Sequence, residues 1–300
     1  MIFAGVDPGT DTWAFASVNE IGNLIDYFEI PAVLVEKDYV SLFNRLLRNK
    51  PKLIALPSGH GMPFLTCREI GNREIFFMTL KDPFETGPLR NFLIYARSFC
   101  NVITIPGVKE LLSISESKKR NLIDMGTADK VASAFFYITR FPGFVLVEMG
   151  RHFSAIIVVV DRKIVNGVGG SVLPGLRSNG AIDGEIAYLL SKYSKISKES
   201  IYEGGNLERS IEVIESIASY YSRKHNVPII ISGPAKDVFP YGIKFQLPYK
   251  EAAVGAALIA NAFGGGYYRK YMESVISAGN PLSYIDIKGW EKIVSLIETL

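Results

Sequence analysis

Three short segments of the chain carry residue types and spacings that suit phosphate chemistry. The first is Asp7-Pro8-Gly9-Thr10-Asp11-Thr12, set between two strand-like runs. In a tight glycine-containing turn, successive backbone N–H groups and hydroxyls can cradle phosphate oxygens. An acid at the strand end is then placed to hold Mg²⁺ against them, directly or through water. This gives Asp7 a metal-binding and catalytic role and puts Gly9, Thr10 and Thr12 around the phosphates. The second segment, Glu148-Met149-Gly150-Arg151-His152-Phe153-Ser154, repeats the grammar of strand, acid, one residue, Gly, polar turn, strand. Glu148 takes the metal and catalytic role there, with Gly150 and Ser154 around the phosphates. The third is Ile229-Ile230-Ile231-Ser232-Gly233-Pro234-Ala235, where a buried strand ending in Ser-Gly lets backbone approach a flat ligand such as an adenine. Ser232, Gly233 and Pro234 are its contact residues. Each segment has a plainer alternative, because Asp, Pro, Gly and Thr are what ordinary turns use.

Transfer of a phosphoryl group needs positioning and charge neutralisation, and the acceptor decides what else is required. A sugar hydroxyl is un-ionised at neutral pH and wants a carboxylate base; Asp129 and Asp183 are the further acids for base or Mg²⁺ duty. Both also sit where helices begin, so capping alone would explain them. A carboxylate acceptor, with a pKa of roughly 4–5, is already a nucleophile and wants an orienting cation, typically Arg. Arg90, with Arg97 on the same helical face, and Arg177 in a glycine-rich loop are the candidates, surface solvation being their alternative. Ser58 and Gly59, in a loop that follows a strand of the first half, suit a substrate loop or simply a surface loop.

Rival chemistries find little material. No Gly-x-x-x-x-Gly-Lys-Ser/Thr segment exists, and Gly167-Val168-Gly169-Gly170-Ser171-Val172 puts Val172 where a dinucleotide fingerprint wants glycine. Ser58 and His60 lack the Gly-x-Ser-x-Gly elbow of a hydrolase. Two cysteines, Cys67 and Cys100, and three dispersed histidines supply metal-by-thiolate chemistry poorly. A net charge of +3 is too small for a nucleic-acid or anionic-membrane footprint. No run reaches the roughly 18 apolar residues that span a bilayer, and the first residues resemble no signal peptide, so a cytoplasmic location is expected.

The elements that must position these residues read as an α/β chain. With 48% apolar and 21% charged residues over 300 positions, the composition is globular and large enough for two domains. Strands are expected at 2–6, 12–18 and 24–30 as an antiparallel meander, then a helix around Tyr39–Leu47 and a strand over 52–56. Helices near 88–99 and 108–114 flank a strand at 101–105. A second meander starts at Phe144, followed by helices near 185–192 and 207–225 and strands at 228–232 and 243–247. Thr127 reads as the N-cap of a joining helix over 127–140, Lys250–Phe263 as a small-residue helix, and 267–277 and 288–299 as terminal helices. Asp7 and Glu148 lie 141 residues apart, about one domain length. The chain reads as a tandem duplication, with domains over 1–140 and 141–300 and the functional cleft at their seam.

Taken in order, these motifs resemble the actin, Hsp70 and sugar-kinase superfamily over nearly the whole chain. The strand–Asp-x-Gly-Thr–strand resembles its first phosphate loop and Glu148–Ser154 its second. Thr127–Ala134 and Ala252–Ala257 resemble its connecting helices, and Ile229–Gly233 its adenosine motif. Within it, the archaeal group labelled predicted butyrate kinase, DUF1464, is the most similar, on Asp7-Pro8-Gly9-Thr10, Pro57-Ser58-Gly59, Gly126-Thr127-Ala128-Asp129-Lys130 and Ala181-Ile182-Asp183-Gly184-Glu185. The resemblance implies two duplicated ribonuclease H-like (actin-like ATPase) domains and ATP with Mg²⁺ in the cleft. It implies a kinase of a small acceptor such as a short-chain carboxylic acid, with a homodimer as one option for assembly. Glu148 departs from the aspartate usual in the second loop, which keeps a non-catalytic ATP-dependent switch as the alternative. A tRNA-modification or acyl-transfer enzyme on the same fold ranks last, because His60, His152 and His225 form no close cluster.

Overall fold

Runs of β-branched and aromatic residues open each half of the chain and fold as matching meanders. The computed structural model describes residues 1–82 and 85–300. The first half runs β1 (Ile2–Pro8), β2 (Thr12–Asn19), β3 (Leu24–Pro31), α1 (Ala32–Leu47), β4 (Leu53–Ala55), α2 (Asn72–Thr79), α3 (Pro88–Ala96), β5 (Val102–Ile103), α4 (Glu116–Lys119) and α5 (Ala128–Ile138). The second runs β6 (Phe144–Met149), β7 (Ser154–Val160), β8 (Lys163–Val168), α6 (Gly184–Tyr193), α7 (Lys198–Tyr202), α8 (Leu207–His225), β9 (Ile229–Ser232), β10 (Ile243–Lys244) and α9 (Glu251–Phe263), with α10 (Trp290–Ile297) at the end.

Each half forms a five-stranded mixed sheet, in the orders β3-β2-β1-β4-β5 and β10-β9-β6-β7-β8. Read from its meander outward, the second is the first again: β6, β7, β8, β9 and β10 take the places of β1 to β5. The antiparallel register repeats as well, since Asp7 faces Ala14 and Glu148 faces Ala155. The fold is a duplicated ribonuclease H-like α/β unit. Among the described residues, no helix is long and apolar enough to cross a membrane.

Central strands are apolar on both faces because helices cover both faces; β2 is buried along all but its end residues. On the outer side of the first sheet lie α1 and α3, packed around Phe43, Phe92 and Leu46. On the outer side of the second lies α8, through Ile214 and Ala218. Between the sheets run α5 and α9, each apolar nearly all round, as a core helix must be. They cross at a separation that only glycine permits: a Cβ on Gly255 would stand 1.9 Å from the Ala132 carbonyl oxygen. α9 also leaves its own half and packs on β1, where a Cβ on Gly5 would stand 2.2 Å from the Ala257 nitrogen.

Three expectations change. The helix expected over 108–114 is a 3₁₀ turn, Val108–Glu110; the Glu110 carboxylate caps Gly107 N–H at 2.7 Å, and Leu111 turns extended to bridge Ser277. The expected helix at 267–277 is likewise 3₁₀, Tyr267–Val275. Helix α2 carries no clear apolar period and was not expected; Glu74 caps it by accepting from Gly71 N–H at 2.8 Å.

Candidate functional site

The two hairpin acids meet where the connecting helices begin. β1 continues through Asp7 and Pro8, so Asp7 stands at a strand end, 6% exposed. Burial pushes its carboxyl up to about 7 against the pull of Lys250, and the charges of Asp129 and Glu148 push the same way. Glu148 stands at the equivalent place on β6, also raised, mainly by burial. Lys130 Nζ donates to Glu148 Oε1 and, at 2.7 Å, to Asp129 Oδ2. Burial acts on Asp129 in the opposite sense, but Lys130 and the Thr127 hydroxyl hold it below the ordinary carboxylate range. Lys130 itself is raised, because the two acids outweigh its own burial.

Lys250, the residue before α9, enters from the other half. Its Nζ donates to the Thr12 carbonyl at 2.7 Å and the Thr12 hydroxyl at 2.6 Å. It lies 3.3 Å from Glu29 and 3.6 Å from Asp7. Thr12 in turn donates to Glu29, which also accepts from Tyr27 at 2.8 Å. The cluster therefore gathers four carboxylates (Asp7, Glu29, Asp129, Glu148) and two ammonium groups. Fully ionised it is two charges short of neutral, which a divalent cation would supply. Hard carboxylate oxygens suit Mg²⁺, which typically takes one or two of them and fills its shell with water and substrate phosphate. Among the described residues, no group of three or more His, Cys, Asp or Glu is arranged to hold a metal alone. The carboxylates of Asp7 and Glu148 therefore suit a cation that arrives with a polyphosphate.

The remaining expected residues separate into groups. Gly150 closes the second hairpin by donating to Phe153 O at 3.0 Å. Ser154 begins β7, and Ser232 is the parallel partner of Glu148 on β9. Among the described residues, Ser154 Oγ and Ser232 Oγ are buried without hydrogen-bond partners. Ser232 is paired with Glu148 across the parallel strands and so shares its face, whereas Ser154 pairs with Met149 and takes the other face of the sheet. Gly233 follows with φ +89°, Pro234 is exposed, and Ala235 N–H ties the turn to Met149 O at 3.0 Å. Gly9 and Thr12 are half-buried in the first hairpin while Thr10 is exposed at its tip. Arg151 and Asp11 bridge the two hairpin tips at 2.8 Å.

Ser58 is buried and spends its hydroxyl on Gly61 N–H at 2.9 Å, while Gly59 and His60 both donate to Met78 O. This loop is internal, contrary to the surface alternative. Arg177 is exposed beside His152 O. Two expected residues spend their side chains on local bonds. Asp183 is an exposed N-cap, its Oδ1 accepting from Glu185 and Ile186 N–H, so capping accounts for it. Arg90 is 8% exposed and donates to the carbonyls of Lys81, Asp82 and Glu85, so its guanidinium anchors a loop. Thr127 does occupy the N-cap of α5, but its hydroxyl bonds Asp129.

Lys130, Lys250 and Arg151 join the site only through the fold. One signal existed for the lysines: a cation in the first turn of a helix is misplaced against the helix dipole and needs an acid elsewhere. His60 was set aside; its Nδ1 is shielded without a partner among the described residues, and burial lowers its pKa.

Two like α/β units are thus joined by crossed helices over a polar seam. Residues 5–287 match the model of the family described as "Protein of unknown function (DUF1464)", and the chain belongs to that family. No curated protein sequence matches it. Among solved structures it is similar to an acetate kinase from Entamoeba histolytica at 10% identity, with 79% of this chain and 82% of that one covered and a TM-score of 0.48. A ROK family glucokinase from Streptomyces griseus, in complex with glucose and AMPPNP, is similar at 12% identity, 86% and 98% coverage and a TM-score of 0.46. The ethanolamine utilization protein EutJ from Carboxydothermus hydrogenoformans gives 11% identity, 86% and 89% coverage and a TM-score of 0.40. These likenesses assign no activity to the chain.

Proposed function

We propose that the chain is an ATP- and Mg²⁺-dependent phosphotransferase acting on a small acceptor, and that the acceptor is a short-chain carboxylic acid. The observation that carries the reading is the convergence of Asp7, Asp129 and Glu148 with two ammonium groups at the seam of the halves. In this reading Asp7 and Glu148 take the cation that accompanies the polyphosphate, which would offset the charge developing on the transferred group. Gly9, Thr10, Thr12, Gly150 and Ser154 line the phosphates, and Ser232–Pro234 the adenosine. Asp129 is unsuited to the base role that a hydroxyl acceptor requires, a role that Asp7, raised to about 7, would fill for a sugar. Paired with Lys130 and held below its ordinary pKa, Asp129 is a poor proton acceptor for a sugar hydroxyl, whereas a carboxylate needs none. With Arg90 bonded to loop carbonyls and Arg97 bonded to Asn72 Oδ1 at 3.1 Å, Arg177 is the remaining arginine candidate to orient that acceptor.

The alternative is an ATP-dependent switch without transfer. The Asp11–Arg151 bridge between the hairpin tips and the engagement of Glu148 by Lys130 are its motivating features. A panel of acids, including acetate and butyrate, and of sugars is mixed with Mg·ATP and scored by ADP release above the acceptor-free rate. Acid-dependent release that Asp7→Ala abolishes, with its circular dichroism unchanged, is the expected result. Tight ATP binding without turnover of any acceptor favours the switch, and unchanged turnover in Asp7→Ala removes the assignment.

A further inference from the structure

The connecting helices each begin with a cation where the helix dipole least favours one. Lys130 lies in the first turn of α5 and Lys250 directly precedes α9. Each ammonium crosses the seam: Lys130, on the helix that follows the first sheet, bonds Glu148 at the end of β6. Lys250, before the helix that follows the second sheet, reaches Asp7 at the end of β1. The exchange is reciprocal, so the acid of each hairpin is met by a lysine from the opposite half.

The two lysines are nevertheless bound differently. Lys130 is clasped by two carboxylates through short hydrogen bonds, and its side chain is 19% exposed. Lys250 is 28% exposed; its Nζ donates to the Thr12 carbonyl and hydroxyl and lies 3.3 Å from Glu29, while its 3.6 Å separation from Asp7 is an ion pair longer than a hydrogen bond. Its Nζ sits over the hairpin backbone: a Cβ built on Gly9 would lie 2.9 Å from it. An anion settling into the Gly9–Thr12 turn meets this ammonium at once, and an ammonium is a strong phosphate partner.

We infer that Lys250 is a phosphate-binding residue, carried on the second half but acting in the first hairpin, which exchanges its loose contact with Asp7 for phosphate oxygens and so leaves Asp7 to the cation. The inference rests on the nucleotide reading above and specifies which residue of the site reads the phosphate charge. The test is the affinity for Mg·ATP by isothermal titration calorimetry, on wild type, Lys250→Met and Lys250→Arg. Loss of one charge-assisted bond predicts a roughly 10- to 100-fold weaker affinity for Lys250→Met. Lys250→Arg, which keeps the charge, is expected to stay within a few-fold of wild type. Affinity of folded Lys250→Met within about two-fold of wild type overturns the inference while leaving nucleotide binding intact. Where Lys250→Met does not fold, Lys250→Gln decides on the same criterion, since it keeps a donor for the Thr12 carbonyl without the charge. A wild-type protein that binds no ATP overturns the nucleotide reading itself, and this inference with it.

Discussion

The two hairpins share a plan and differ in how their polar groups are spent. In the first, Thr12, Glu29, Tyr27 and Lys250 form a closed set of hydrogen bonds and ion pairs around Asp7. In the second, Lys130 takes one oxygen of Glu148, while the hydroxyls of Ser154 and Ser232 are buried without partners among the described residues. Duplication kept what the backbone enforces, an acid opposite an alanine at a strand end. It let the side chains around that acid diverge. Each hairpin acid meets a cation from the other half, but the first is ringed by further hydrogen-bonding side chains of its own meander and the second, among the described residues, is not.

The largest test of this comparison breaks the helix crossing on which both lysines depend. Gly255→Val places side-chain atoms against the Ala132 carbonyl, whose oxygen would be 1.9 Å from the first of them, and core overpacking costs about 1–3 kcal/mol or more. A fall in Tm of at least about 5 °C is expected, and a Tm within about 1 °C of wild type would refute the tight crossing.

The second test separates the acids by pH. The carboxyl of Asp7 is raised by burial from 3.8 to about 7, so the folded state holds a proton that the unfolded state has lost. That contribution to stability is present in full below the unfolded value and is lost as pH rises through about 7. Denaturant titrations of wild type and Asp7→Asn between about pH 5 and pH 8 should show the variant losing a component of stability that falls as pH rises. Glu110, buried and raised to about 8, contributes in the same direction, so Glu110→Gln is the companion variant. An unchanged slope in Asp7→Asn would show that Asp7 titrates normally.

The smallest effect belongs to the bridge between the hairpin tips. Asp11 and Arg151 are both more than half exposed, and exposed pairs contribute about 0–1 kcal/mol. Arg151→Ala should leave Tm within about 2 °C of wild type. A larger loss would mean that the tips hold the halves together, which the comparison assigns to the crossed helices instead.

Much of this was legible in one dimension. Strands with period-two or fully apolar patterns, broken by Asp-Pro-Gly and Gly-Arg-His turns, gave both meanders, and the 141-residue offset between Asp7 and Glu148 reappears in the facing pairs with Ala14 and Ala155. The side-chain partners were less legible. Arg90 and Asp183 have residue types suited to a site, yet Arg90 faces loop carbonyls and Asp183 caps a surface helix. Spacing along a helix says which face a side chain takes and leaves open what stands opposite.

The sequence by itself determined two like units, each with an acid at a strand end before a glycine turn, because backbone register and turn chemistry are set by near neighbours. Only the tertiary structure decided which cation meets which acid. Lys250 and Asp7 are far apart in the chain and were joined by the packing of α9 on β1 at Gly5 and on α5 at Gly255. A charge acts through distance in space, so the electrostatic character of the seam took shape when the helices crossed.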